Sequence, residues 1–255
     1  YEYLLKYFID HNYGGVYWLL DFKGKPINKR KQIYAQAFAI YALCEYYKST
    51  KNFDSLNYAF KIFSLIEKFA KDNLNGGYIE AFGEDWSNVN DYRLSEKDEN
   101  TPKSMNTHLH LLEAYTSLYK VIKRTEIKNS IIELINIFKE KIYNKDTLHL
   151  DLFFENDWSR KSNIISYGHD IESSWLIFEA ASAIDDYILK NEIEDFSIEL
   201  ANSVINAIDE YGGLIYEFNY ENKNYDTDKH WWPQAEAMVG FLNAYEITDD
   251  ESWLY

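Results

Sequence analysis

Apolar residues along this chain recur mainly at helical spacing. Over 31–49 they are nearly continuous, and the segment from Ile33 to Leu43 is almost wholly apolar, the pattern of a helix buried all round. Over 55–71, Leu56, Ala59, Phe60, Phe63, Ile66 and Ala70 face away from lysines and glutamates, the pattern of an amphipathic helix. Similar periodicity predicts helices over 105–123, 127–143, 169–188, 198–210 and 232–247. Ser166 and Asp170 are candidate N-caps for the third apolar helix. Between the pairs lie short β-prone stretches. Asn12-Tyr-Gly-Gly-Val-Tyr-Trp18, Asn75-Gly-Gly-Tyr-Ile-Glu80 and Gly212-Gly-Leu-Ile-Tyr-Glu217 each place a Gly-Gly turn before β-formers. Leu148-His-Leu-Asp-Leu-Phe-Phe154 takes the same position without the glycines.

The unit helix, helix, short hairpin thus repeats at roughly 60–70 residues. Pairing an apolar helix with an amphipathic one predicts an all-α fold. The expected form is an (α/α)6 toroid of helical hairpins with short β-hairpins at one end, of which about four hairpins are present. Residues 1–255 are expected to form one such domain, truncated at both ends, because neither end has a capping repeat.

Composition narrows the function. A net charge of −16 disfavours nucleic acid and anionic membrane surfaces as partners. The one cysteine, Cys44, falls in an apolar helix, so there is no disulfide framework. No uncharged apolar run approaches the roughly 18 residues of a membrane span, and a cytoplasmic protein is expected. The 23 Tyr and 7 Trp exceed what a plain helical core needs and suit a cleft that stacks on sugar rings.

The first turns of the apolar helices carry the polar groups. They offer Tyr34 and Phe38, Asn106 and His110, His169 and Glu172, then Trp232 and Glu236, with leading residues 72, 63 and 63 positions apart. In a toroid, equivalent positions of successive inner helices line one end of the central cavity. Two histidines, two glutamates, an asparagine and several aromatics are therefore expected to converge, with Trp175 adding an indole beyond His169. A histidine beside a carboxylate and an aromatic wall suits proton transfer on a sugar. His108 and His110 lie about 200° apart around a helix, so they cannot share a metal, and no metal is expected. His11 and His149 are expected to be structural or solvated, and Asp85-Trp86 and Asp157-Trp158 to be hairpin structure. No phosphate cradle, Ser-His-Asp order or cysteine-pair spacing is present. Two carboxylates, Glu172 and Glu236, leave a glycoside hydrolase as a rival reading, and a non-catalytic sugar-binding toroid is a second.

Four blocks also carry a resemblance. Lys31-Gln-Ile-Tyr-Ala-Gln-Ala-Phe-Ala-Ile-Tyr41, Lys103-Ser-Met-Asn-Thr-His-Leu-His110, Ser166-Tyr-Gly-His-Asp-Ile-Glu172 and Lys229-His-Trp-Trp-Pro-Gln-Ala-Glu-Ala-Met238 resemble the signature blocks of cellobiose 2-epimerases, in the N-acylglucosamine 2-epimerase superfamily. The resemblance implies a cofactor-free isomerase that interconverts glucose and mannose at the reducing end of cellobiose and other β-1,4-linked disaccharides, through ring opening and an enediol. It implies that His169 is one of two histidines exchanging the C2 proton, supported by Glu172. His110 and Asn106 would contact the reducing sugar and assist ring opening. Tyr34, Phe38, Trp175, Trp232 and Glu236 would bind the sugar. An N-acylglucosamine 2-epimerase or an aldose–ketose (mannose) isomerase is the nearest alternative. The family's substrate-holding arginine and its second catalytic histidine have no counterpart here, so the sequence as it stands is expected to lack one base and to be inactive alone.

Overall fold

The computed structural model describes residues 1–254. Its helices are α1 (Ile33–Thr50), α2 (Phe53–Phe69), α3 (Met105–Val121), α4 (Thr125–Ile137), α5 (Tyr167–Ala183), α6 (Tyr187–Ile205) and α7 (Trp231–Thr248), joined by short strands. Local signals set their ends. The Asn52 side chain accepts the amides of Asp54 and Ser55 to start α2, and Asp186 accepts those of Ile188 and Leu189 to start α6. Left-handed residues, Lys51 at φ 58° and Asp249 at φ 56°, stop α1 and α7.

The chain divides into two compact units, Tyr1–Leu134 with Phe153–Lys161, and Ile135–Leu152 with Ser162–Tyr255. In the first, α1 packs against both α2 and α3, while α2 scarcely meets α3. In the second, α5 packs in the same way against α6 and α7. That is the inner–outer–inner order of side-by-side helical hairpins, as the expected fold class requires. Among the described residues there are three successive helix pairs, followed by α7. Ile33, Ile40, Leu43, Ile62, Ile66 and Leu112 are fully buried in the first unit, and Ile171, Ala201, Val204 and Ala244 form part of the core of the second. Glycine sets the α5–α7 approach: a Cβ on Gly240 would come within 2.6 Å of Ile171 Cγ1.

The Gly-Gly stretches themselves make only isolated bridges, Ile9 to Val16, Lys71 to Tyr78 and Ile208 to Leu214, and the short strands fall mostly beside them, where they tie each helix start to the next repeat. Lys31–Gln32 pairs with Ala81–Phe82, Lys103–Ser104 with Phe153–Phe154, and Ile164–Ser166 with Glu217–Asn219. Each Gly-Gly turn is preceded by an aspartate whose carboxylate accepts turn amides and a lysine ammonium from just ahead of an inner helix. The pairs are Asp10–Lys31 at 2.6 Å, Asp72–Lys103 at 2.8 Å and Asp209–Lys229 at 2.8 Å. The Asp-Trp loops also prove structural. Trp86 donates its indole N–H to the Tyr13 carbonyl and Trp158 to that of Asn75, so each covers a Gly-Gly turn.

Three expectations need correction. Helix α1 is not buried all round, since Phe38 and Ala42, one turn apart, are exposed. Helix α6 starts at Tyr187 rather than near Ile198; Ile193, Phe196, Leu200 and Val204 carry its buried stripe through a stretch dense in acidic residues. Ser166 stands at the N-cap of α5 but its side chain makes no capping bond, and Asp170 lies inside the helix.

Candidate active site

Comparison of the inner helices begins with a position that is purely architectural. The fourth residue of each closes the backbone of the preceding β-prone stretch. Gln36 accepts the Val16 amide and donates to the Val16 carbonyl, and Gln234 does the same for Leu214. His108 Nε2 accepts the Tyr78 amide at 3.0 Å, and Asp170 accepts the Leu150 amide at 2.9 Å. Asp170 also holds His149, with Nδ1 to Oδ2 at 2.7 Å, so His149 is structural as expected. His11, exposed, makes a single contact to the Leu5 carbonyl. Burial drives the His108 imidazole down to a pKa of about 4, keeping it neutral.

This position fixes the register of the rest. Two residues before it on each helix stand Tyr34, Asn106, Gly168 and Trp232. His169 is therefore one place beyond the series that the sequence spacing suggested, level with Ala35, Thr107 and Pro233. The vacant Gly168 position is filled from α7: a Cβ there would lie 2.6 Å from the Trp232 indole. Phe38, His110, Glu172 and Glu236 share the position two residues after the architectural one.

In the first unit, Tyr34, Phe38 and His110 form one aromatic group. The His110 ring lies 5.0 Å from Tyr34 and 4.8 Å from Phe38, between centroids. Its Nδ1 is 3.0 Å from Glu113 Oε2, one turn further along α3. Asn106, one turn earlier, has a buried Oδ1 with no hydrogen-bond partner among the described residues. Such an acceptor is costly unless something occupies it. His108 and His110 serve different neighbours, consistent with their angular separation on the helix.

In the second unit, His169 Nδ1 lies 2.8 Å from Ser166 Oγ, and its ring packs 4.8 Å from Trp232. Trp175 Nε1 donates to Glu236 Oε2 at 2.9 Å, joining α5 to α7. Glu172 is 9% exposed, three residues after His169. Tyr216 borders Trp232 edge-on and stacks on His230, extending the aromatic surface.

One buried carboxylate escaped the sequence reading. Glu80 accepts from the Ser104 hydroxyl and, at 2.9 Å, from Thr107 Oγ1, on either side of Asn106. Burial raises its pKa to about 7, although the two hydroxyls pull the other way. Its position just after a Gly-Gly turn was visible; its contact with a helix start some 25 residues later was not.

Within each unit, helical hairpins carry polar and aromatic groups on the first turns of the helices that pack against both neighbours, which defines a helical-hairpin protein. The profile of the N-acylglucosamine 2-epimerase (GlcNAc 2-epimerase) family matches residues 1–254, and the chain belongs to that family. It is 46% identical over 253 residues to a cellobiose 2-epimerase of Bacteroides fragilis, covering 99% of this chain and 64% of that protein. A cellobiose 2-epimerase of Dictyoglomus turgidum is 44% identical over 254 residues, covering 100% and 64%. The solved cellobiose 2-epimerase of Bacillus thermoamylovorans superposes with a TM-score of 0.93 at 41% identity, covering 100% of this chain and 65% of that one. The chain thus spans just under two thirds of the length of these relatives.

Proposed function

We propose that the protein is an isomerase that epimerises C2 of the reducing-end glucose of cellobiose and related β-1,4-linked disaccharides, giving the mannose epimer. The observation that carries this reading is His169, held at Nδ1 by Ser166 and packed on Trp232, in a chain whose relatives bear the name cellobiose 2-epimerase. The C2–H of an aldose becomes acidic only when the ring opens and exposes the C1 carbonyl. His110 assists that opening, with Glu113 at its Nδ1. His169 then takes the C2 proton, the electron pair moves into the C1–C2 bond, and the carbonyl oxygen takes up the negative charge of an enediolate. Return of a proton to the opposite face of C2 completes the inversion, so His169 serves one face only. Histidine suits this step because its pKa lies near working pH.

Asn106 contributes hydrogen bonding to the sugar, and Tyr34, Phe38, Trp175 and Trp232 contribute faces on which a pyranose stacks. Glu172 supports His169, and Glu236, oriented by Trp175, accepts a sugar hydroxyl. A neutral disaccharide is compatible with a chain of charge −16, which would repel a polyanion. A reducing, cytoplasmic setting suits Cys44, whose buried thiol is pushed up to about 12. No helix of the described residues is long and apolar enough to cross a membrane. Incubation of the full-length protein with cellobiose, followed by NMR, tests the proposal. A new mannose anomeric signal with the glycosidic bond intact supports it. Released glucose or a ketose product overturns it.

A further inference from the structure

The first turns of α3 and α5 begin with the same residue, serine, and use it differently. Ser104 Oγ accepts the amide of Thr107, three residues on, and so caps α3. Ser166, at the same position of α5, makes no capping bond. Its hydroxyl instead meets the side chain three residues on, His169 Nδ1, at 2.8 Å. Ser166 is 1% exposed, so the bond is shielded from competing water. A serine at an N-cap ordinarily stabilises its helix through the N2 or N3 amide. Here that contribution is forgone for a side-chain contact.

We infer that Ser166 is the positioning residue that sets the tautomer and ring orientation of His169. The inference rests on the reading of His169 as the C2 base. A neutral imidazole that accepts a proton at Nε2 must carry its first proton on Nδ1. In the proposed tautomer Nδ1–H donates to Ser166 Oγ, an acceptor role open to a hydroxyl. The imidazolium formed after proton transfer still carries Nδ1–H, so the hydroxyl accepts in both states and need not reorient during turnover. Gly168 also leaves room for the Trp232 indole against the ring. A positioned acid–base of this kind loses rate, not affinity, when its orienting group is removed.

The test compares Ser166→Ala and Ser166→Thr in the full-length protein. Imidazole nitrogen-15 spectra of His169, assigned by its loss in His169→Gln, report the tautomer without any sugar present. Wild type and Ser166→Thr are expected to show a predominantly Nδ1–H ring, and Ser166→Ala a mixed one. In cellobiose turnover, kcat of Ser166→Ala should fall about tenfold or more with KM within about twofold, and Ser166→Thr should recover most of it. Unchanged spectra together with unchanged kcat in Ser166→Ala overturn the assignment. A tautomer shift without any wild-type turnover leaves the positioning contact standing and removes the epimerase reading instead, so the two failures are distinguishable.

Discussion

His108 Nε2 accepts the backbone amide of Tyr78 at 3.0 Å, and its Nδ1 sits on the Ser104 carbonyl, so the ring takes the place that Gln36 and Gln234 take in the first and fourth repeats. Glutamine at position 108 should therefore satisfy the same backbone groups. The imidazole is held neutral by burial, with its pKa lowered from 6.5 to about 4. Between those values the unfolded chain binds the proton and the folded one does not, so stability falls as pH falls. His108→Gln should match wild type at pH 7.5 within about 1 kcal/mol. It should gain on wild type by up to roughly 3 kcal/mol as pH drops to 4. Urea denaturation at both pH values measures this.

Glu80 has the opposite sign. Its folded pKa is raised from 4.5 to about 7, so the folded state binds the extra proton and stability declines as pH rises through that range. Glu80→Gln keeps one acceptor oxygen for the two hydroxyls, offers the other an N–H to accept, and cannot ionise. Relative to wild type it should become more stable from pH 5 to pH 7.5, by up to about 3 kcal/mol. The same urea series decides it, and a constant difference across pH would contradict the assigned cause.

The lysine–aspartate pairs should differ in energy according to burial. Lys103 is fully buried and donates to Asp72, the Gly76 carbonyl and the Asn156 carbonyl. Lys103→Met removes the cation from Asp72 and this donor from the two carbonyls, and should cost about 3–5 kcal/mol. Lys229, whose side chain is 35% exposed in its pair with Asp209, should cost no more than about 1 kcal/mol when changed to Met. Thermal melts of the two variants give the contrast directly.

These pairs mark what the sequence conveyed and what it did not. The helix pairs, the hairpins and the two Asp-Trp loops followed from periodicity and turn chemistry, which are local. The Lys–Asp pairs and Glu80 join residues twenty or more positions apart, and nothing in residue spacing announces such a contact. His169 was read one place out of register because Gly168 has no side chain to compare. The late start predicted for α6 had a different origin. Lys190, Glu192, Glu194 and Asp195 hid an apolar stripe whose N-cap, Asp186, was in plain view. The polar groups on the first turns of the apolar helices were legible because they are conspicuous there. The hydroxyl on His169 was not, because a serine at an N-cap ordinarily signals only a helix start.

Gly168→Ala offers a sharp test of the space held for Trp232. Alanine would normally stabilise a helix by about 1 kcal/mol over glycine. Here its Cβ would fall 2.6 Å from the indole and 2.9 Å from Pro233 Cβ. The variant should lose stability and should lose about tenfold or more in kcat by moving the wall against His169. A stabilised and fully active variant would show that the indole is not held by this contact.

The central claim is that His169 moves the C2 proton of a reducing-end sugar. Cellobiose incubated with the full-length protein in deuterium oxide measures it directly. Deuterium should appear at C2 of both the epimer and the recovered cellobiose, and His169→Gln should abolish that exchange while leaving the fold intact by circular dichroism. Exchange that survives in His169→Gln, or epimer formed by the wild type with no solvent deuterium at C2, would contradict the account.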